Sequence, residues 1–228
     1  MTLRQKLAIT AGSVVLVVGL LVWLLAFSPV FGVHSVKITG LHALTKDEVT
    51  AAASVPHNRP LLRLNTNAVR TRVAALPEVA SVSVHTSWPN SVTIAITERE
   101  PVGYVSSGTG FGLVDKTGKQ YATVQTRPRT YPHLRLAPGD DVHARATDAA
   151  IAAVATSLPP TVRAKVDSIS ALDANSVELT LDDGRSVRWG SAERTADKAR
   201  VLAALVNQKA TRNVGTIDVT DPDLPYTH

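Results

Sequence analysis

The sequence predicts an α+β protein: an N-terminal transmembrane helix, a small domain ordered strand-helix-helix-strand-strand, and an antiparallel β domain with flanking helices. Three observations support this prediction. Residues 77–101 alternate apolar and polar side chains on both sides of a turn, which is typical of an amphipathic β-hairpin. Thr45 and Glu48 are spaced as in a helix capping box. Residues 7–27 carry no charge and are long enough to cross a bilayer as a helix.

The apolar run 7–27 predicts a retained membrane anchor. Arg4 and Lys6 precede it, so the positive-inside rule keeps a tail, residues 1–6, in the cytoplasm and places everything after the run outside. The alternative is a cleaved signal peptide, with Ala26 and Ser28 as the small residues before the cut. The run is longer than the apolar core of a signal peptide, and Pro29 would follow the cleaved bond, so we favour the anchor.

Residues 31–100 are expected to form the first domain. A short strand with Val36 and Ile38 on one face ends at Gly40, and a helix begins at the Thr45 cap. Asn65 or Thr66 is expected to cap a second helix, 67–76, and Pro77 ends it. The apolar residues of that helix recur at spacings of four and three: Val69, Val73 and Leu76.

The hairpin after Pro77 reverses at a turn, 88–91. Its even-numbered residues are expected to share one apolar face: Ala80, Val82, Val84, Thr86, Trp88, Val92, Ile94 and Ile96. A lone two-stranded ribbon is marginally stable in water, so another part of the chain must cover this face. We therefore expect Val69 and Val73 of the second helix to pack against it.

Residues 101–228 are expected to form the β domain. Its predicted elements are a hairpin at 111–124, a weak strand at 133–136, a helix at 148–158, a strand at 166–169, a hairpin at 177–189, the longest soluble helix at 192–208, and a last strand at 216–219. In the second hairpin Val177, Leu179 and Leu181 share a face with Val187 and Trp189 across an Asp-Gly turn.

Composition excludes several function classes. The net charge is +5, but the Lys and Arg residues are scattered among Asp and Glu and form no basic stripe with aromatics, so no nucleic-acid partner is expected. Cysteine is absent, which removes disulfides, thiol catalysis and sulfur-ligated metals. The seven histidines include no metal-binding spacing, so no metal is expected.

Catalytic motifs are also missing. The glycines at 108, 110 and 112 lack the Lys-Ser/Thr and the following helix of a phosphate-binding loop, so a flexible loop is the simpler interpretation. No Gly-x-Ser-x-Gly elbow is present. The sequence therefore predicts no enzyme, no catalytic residue, no cofactor and no small-molecule substrate.

Three segments of the chain carry a family resemblance. They are Val33-x-x-Val36-x-Ile38-x-Gly40, then Leu76-Pro77-x-Val79-x-x-Val82-x-Val84, then Trp88-Pro89-x-x-Val92-x-Ile94-x-Ile96-x-Glu98-Arg99-x-Pro101. In this order they resemble the POTRA domain of the FtsQ/DivIB bacterial division proteins, and residues 101–228 resemble the β domain of that family more loosely. The resemblance implies a membrane-anchored scaffold at the division septum. Its partners would be other membrane division proteins, similar to FtsB and FtsL.

Two other functions stay open at this point. POTRA domains also act as chaperone or assembly modules for exported polypeptides, although that role normally requires tandem copies and a C-terminal barrel. A cell-wall hydrolase is the weaker option because the catalytic constellation is missing.

The predicted partner site is the last strand: Thr216, Ile217, Asp218, Val219 and Thr220. A strand that follows the final helix is expected at a sheet edge, where unpaired backbone groups accept an added strand. An internal strand with a frayed tail is the alternative. The resemblance implies that an FtsB segment is received there. Pro222 and Pro225 cannot donate ladder hydrogen bonds, so pairing is expected only before Pro222, with Tyr226 at most packing alongside.

Overall fold

The computed structural model describes residues 12–20, 22–23, 31–108, 110–139, 141–208 and 214–227. The predicted tail, 1–6, and residues 7–11, 21 and 24–27 of the predicted membrane segment, 7–27, lie outside the described residues. Residues 12–20 and 22–23 are helical. In the described part of the chain, no helix is both long and apolar enough to span a bilayer.

The chain divides into two compact units, 1–98 and 99–228. After the helical residues near its N-terminus, the described elements of the first unit are β1 (Ser35–Thr39), α1 (Lys46–Ala53), a 3-10 turn (Leu61–Arg63), α2 (Thr66–Ala74), β2 (Val79–Ser87) and β3 (Ser91–Glu98). The sheet order is β1-β3-β2, with β1 parallel and β2 antiparallel to the central β3. The predicted order strand-helix-helix-strand-strand is therefore confirmed.

Side chains cap α1 and α2. Thr45 accepts a hydrogen bond from the Glu48 N–H, and the Glu48 carboxylate accepts one from the Thr45 N–H at 2.8 Å, so the capping box is complete. The Asn65 side chain accepts from the Ala68 N–H at 2.9 Å and starts α2. These bonds satisfy backbone donors that a helix N-terminus otherwise leaves open.

One core lies between the helices and the sheet. Val92, Ile94 and Ile96 of β3 are buried with Val69 and Val73 of α2, as the hairpin periodicity predicts. Val82 and Val84 of β2 are partly buried against the same core.

The prediction for the start of β2 and for the turn was wrong. An irregularity in the ladder between Val79 and Ser81 turns Val79 into the core and leaves Ala80 exposed. A bulge adds one residue to one strand, so the alternation changes face there. Trp88 lies beyond the last ladder pair and is 50% exposed; its ring meets Phe31 edge to face, with the ring centroids 5.8 Å apart.

The described elements of the second unit are β4 (Pro101–Ser107), β5 (Gly110–Asp115), β6 (Gln120–Val124), β7 (His133–Arg135), α3 (Val142–Ser157), α4 (Pro160–Arg163), β8 (Val166–Ala171), β9 (Val177–Leu181), β10 (Ser186–Gly190), α5 (Thr195–Leu205), β11 (Thr216–Asp218) and β12 (Tyr226–Thr227). Described strands form one sheet in the order β12-β11-β10-β9-β8-β7-β4-β5-β6.

This sheet is mixed, so the prediction of an antiparallel β domain was wrong. β7 runs parallel to β8 and to β4, and β10 runs parallel to β11. The chain between β7 and β8 passes through α3 and α4, and that between β10 and β11 passes through α5. A helical crossover returns the chain to the same end of the sheet, so the next strand runs in the same direction as the last.

The core of the second unit surrounds the hairpin β9–β10. Val177, Leu179, Leu181, Val187 and Trp189 are all buried, which confirms the predicted face.

Helix α3 begins six residues earlier than predicted, because Asp141 accepts a hydrogen bond from the Ala144 N–H and caps it. At 16 residues it is longer than the 11 residues of α5, so the prediction that the latter is the longest soluble helix was wrong among the described elements.

Candidate functional site

The predicted site strand, β11, is firmly held on its inner side. Its three residues pair in parallel with the stretch 186–188 of β10. The Val219 N–H continues this pairing by donating to the Arg188 carbonyl at 3.0 Å. The side chains of Ile217 and Val219 are fully buried, Asp218 is nearly so, and Thr220 is exposed. β11 is therefore packed into the core and paired with β10 along one of its two edges. Its other edge faces away from β10.

The structure contradicts the prediction that β11 is the edge strand. β12 lies outside it and runs antiparallel, with Ile217 opposite Thr227 and Asp218 opposite Tyr226. The expectation that Tyr226 only packs alongside was also wrong, since this residue pairs in the ladder. Within the described residues, the terminal strand of this side of the sheet is the two-residue β12, and both of its residues are exposed.

A clamped turn brings β12 back onto β11. The Leu224 N–H donates to the Asp221 carbonyl at 3.2 Å, and the Asp223 N–H donates to the Asp221 carboxylate at 3.0 Å. Pro222 and Pro225 lie in this turn, outside both strands. Because no ladder hydrogen bond is needed there, the N–H groups that proline lacks are not missed. The Arg194 guanidinium donates to both carboxylate oxygens of Asp223, at 2.8 and 3.0 Å.

Asp218 connects β11 to β12 through its carboxylate. Burial raises the pKa of Asp218, but hydrogen bonds from the Thr220 N–H and hydroxyl and from the Tyr226 hydroxyl, together with the charge of Arg188, lower it below the usual aspartate value on balance. The carboxylate is therefore ionised at neutral pH and holds the turn and the Tyr226 side chain near β11.

A buried lysine supports the neighbouring end of β10. The Lys198 ammonium, on α5, donates to the Trp189 carbonyl at 3.0 Å and to the Ser191 carbonyl at 2.9 Å. Burial lowers the pKa of Lys198, and the charge of Glu193 acts in the opposite direction. Since Gly190 has φ +74°, β10 turns sharply here, and the lysine satisfies carbonyls on both sides of that turn.

Sequence reasoning missed the residues that shape this edge. Arg194 and Lys198 look like ordinary surface cations of a helix, and a two-residue strand has no detectable alternation. The signal that was available is Asp221-Pro222-Asp223, which is typical of a turn and implies that the chain beyond it reverses.

A cleft lies beside the segment 126–131. It has a volume of about 400 Å³ and is lined by residues of 126–131, by Ala164 and Val166, and by Asp167 and Asp182. The Arg127 guanidinium donates to Asp167 at 2.7 Å, so these two opposite charges neutralise each other. In the described ranges, no group of three or more His, Asp or Glu side chains is arranged to hold a metal ion.

The two units define the class of protein. The first has the strand order and helix pair of a POTRA domain, and the family model described as "POTRA domain, FtsQ-type" matches residues 31–99. The family model described as "Cell division protein FtsQ/DivIB, C-terminal" matches residues 103–220. The chain is thus a POTRA domain followed by a β domain of FtsQ/DivIB type.

The chain belongs to the FtsQ family of cell division proteins. It is 41% identical over 227 residues to cell division protein FtsQ of Streptomyces venezuelae, an alignment that covers 97% of this chain and 83% of that protein. It is 37% identical over 205 residues to FtsQ of Mycobacteroides abscessus, covering 89% of this chain but only 63% of that longer relative.

One solved structure gives a more distant match. It is the major extracytoplasmic domain of the division protein DivIB from Geobacillus stearothermophilus, 22% identical, with a TM-score of 0.36. The match covers 50% of this chain and 99% of that domain.

Proposed function

We propose that this protein is a non-enzymatic, membrane-anchored scaffold that recruits and links other membrane division proteins at the septum. Membership of the FtsQ family carries the proposal. The shape of the second unit supports it, because a sheet that ends in a short, exposed strand suits binding of an extended segment from another protein.

The proposed topology has one membrane crossing. Residues 1–6 are a cytoplasmic tail, 7–27 the anchor, 31–100 the POTRA domain and 101–228 the β domain, both domains lying outside the cytoplasm. The uncharged run and the preceding Arg4 and Lys6 support this arrangement. Reporter fusions at the C-terminus test it, with activity expected only from a reporter that works outside. A mature protein that starts near Pro29 would contradict the anchor.

The proposed partners are FtsB- and FtsL-like membrane proteins, received at the edge formed by residues 216–220 and β12. We propose that a partner strand replaces β12 and pairs with β11. Only two residues of β12 pair with β11, and both are exposed. Displacing β12 therefore breaks few backbone hydrogen bonds and uncovers little apolar surface. The buried Ile217 and Val219 hold β11 in place during the exchange.

Two variants test the exchange. A chain that ends at Asp223 removes β12 but keeps the Arg194 partner, and it should capture the FtsB-like protein more tightly than the full chain. Ile217→Pro should abolish capture, because proline removes an N–H and does not fit inside a sheet. Capture that is lost on truncation would mean instead that the partner adds outside β12. Lys116→Ala, in the distant β5–β6 turn, is the control.

Depletion of the protein from its host tests the wider role. Filaments without septa are expected if the protein is a division scaffold. Normal septa together with loss of exported envelope proteins would favour a chaperone module and contradict the proposal.

A further inference from the structure

Two large apolar side chains are exposed at one end of the POTRA domain. Leu62 is 57% and Trp88 50% exposed. Leu62 lies in the 3-10 turn between the helices, and Trp88 lies in the turn between β2 and β3, against Phe31. We call residues 31–34, 57–63 and 88–90 the Trp88 end.

Backbone hydrogen bonds bring these three segments together. The Val33 N–H donates to the Arg59 carbonyl and the Asn58 N–H to the Val33 carbonyl, both at 3.0 Å. The His34 N–H donates to the Asn90 carbonyl at 2.9 Å. The contact needs a glycine at position 32, since a Cβ there would lie 2.8 Å from the Asn58 carbonyl oxygen. The start of the domain is therefore fixed to both turns.

The acidic residues of this domain lie at the end opposite the Trp88 end. The acidic residues in 31–98 are Asp47, Glu48, Glu78 and Glu98. All four lie away from the Trp88 end. Asp47 and Glu48 are in the first turn of α1, which follows the far end of β1. Glu98 ends β3, and Glu78 directly precedes Val79, which pairs with Glu98.

The Trp88 end carries positive charge only. Arg59 and Arg63 are both exposed there, and the segments that form this end contain no Asp or Glu. Arginine together with exposed Trp and Leu is the combination that binds the interface of an anionic bilayer, because the ring and the aliphatic chain enter the headgroup region while the guanidinium stays at its surface.

We propose that the Trp88 end docks on the membrane surface, with Trp88 and Leu62 in the interface and Arg59 and Arg63 against anionic lipid headgroups. The inference rests on the proposed anchor and adds to it. Residues 28–30 alone separate the apolar run from Phe31, and four chain steps span at most about 14 Å. The Trp88 end must then lie next to the bilayer, and the opposite end, which carries the four acidic residues, points away from it.

Spin-label accessibility tests the docking in the full chain. The protein has no cysteine, so Leu62→Cys can carry a single nitroxide. Ala74→Cys, exposed at the opposite end of α2, is the matched control. The chain is reconstituted in vesicles of phosphatidylcholine and phosphatidylglycerol at 3:1. The label at position 62 should react several-fold more with oxygen, which dissolves in lipid, than with a water-soluble nickel chelate, and the label at 74 should show the reverse.

Charge variants separate the electrostatic part. In the Leu62→Cys background, Arg59→Glu should lower the preference for oxygen, as should pure phosphatidylcholine vesicles, whereas Arg70→Glu on the exposed middle of α2 should not. A label at 62 that is equally deep in every case would overturn the role of the arginines. Trp88→Cys provides a second labelling position if the first variant is poorly folded.

Three other outcomes overturn the docking itself. The first is a label at position 62 that reacts with the nickel chelate as readily as the label at 74 does. This outcome overturns the docking whether or not the chain stays with the vesicles after extraction with alkaline carbonate. Loss of the chain from the vesicles shows in addition that the anchor has failed. Another is a label shielded from both reagents, with dipolar coupling between labels, which assigns this end to a second copy. The third is shielding without coupling only when an FtsB-like protein is present, which assigns it to that partner.

Discussion

Arg194 and Asp223 are joined by two parallel hydrogen bonds, from Nη1 to Oδ2 at 2.8 Å and from Nη2 to Oδ1 at 3.0 Å. Arg194 precedes α5 in a left-handed conformation, with φ +51°, and it also contacts Asp197 at 3.5 Å. The hydrogen bonds to Asp223 raise the pKa of this arginine further above its usual value. This fork connects the start of α5 to the turn that returns β12 to the sheet.

Arg194→Gln should therefore loosen β12 without unfolding the domain. Amide hydrogen exchange at Tyr226 and Thr227 should become faster, while exchange in β9 stays slow. Asp223→Asn should give a similar effect, and the double variant should add little, because either change breaks the same fork. Arg200→Gln, at an exposed arginine of the same helix, is the control. Unchanged exchange at Tyr226 in Arg194→Gln would contradict a clamp.

Ile94→Ala should destabilise the POTRA domain by about 2–5 kcal/mol, because it leaves a cavity in a fully buried site between the sheet and α2. Hydrogen exchange of peptides that cover residues 79–98 in increasing urea measures the loss. Thr97→Ala, at an exposed position of the same strand, should change stability by less than about 0.5 kcal/mol. A larger effect from Thr97→Ala than from Ile94→Ala would show that the register of β3 is wrong.

Asp115→Asn should cost about 3 kcal/mol in the β domain. The nearly buried carboxylate accepts from the Arg99 guanidinium, from the Thr117 N–H at 2.8 Å and hydroxyl at 2.6 Å, and from the Lys119 N–H at 3.1 Å. The amide cannot accept all of these bonds, and the arginine loses its counter-charge. Urea unfolding monitored at β5 and β6 measures the loss, with Lys116→Ala as the neutral change in the same turn. Equal stability of the two variants would refute this assignment.

Glu98 should make the POTRA domain sensitive to acid. Its carboxylate accepts from the N–H groups of His42 and Ala43, both at 2.8 Å, and of Leu44 at 3.1 Å. Burial raises the pKa of Glu98, but these three donors lower it on balance below the usual glutamate value.

Because the pKa of Glu98 is lower in the folded state, its contribution is present above the unfolded pKa of about 4.3 and is lost as the pH falls through the lower folded value. Glu98→Gln should cost about 1 kcal/mol at pH 7, since the site is partly exposed, and should flatten the loss of stability between about pH 5 and pH 3. Parallel urea titrations across this range test it. An unchanged pH profile in the variant would assign the acid sensitivity to another carboxylate.

Elements with local signals could be predicted from the sequence alone. Alternation placed Val92, Ile94 and Ile96 in one core, and Leu179 and Trp189 in the other, because side chains on a strand change face at every residue. Caps at Thr45 and Asn65 were also readable, since each needs only residues three positions away.

Tertiary contacts fix which strands become neighbours and where the sheet ends. The parallel pairs β7–β8 and β10–β11 depend on crossovers through helices, and β12 depends on the clamp between Arg194 and Asp223, 29 residues apart. The bulge that buries Val79 in place of Ala80 is formed by the pairing of β2 with β3. These are non-local contacts, and a sequence pattern read along one strand contains no information about the strand that will lie beside it.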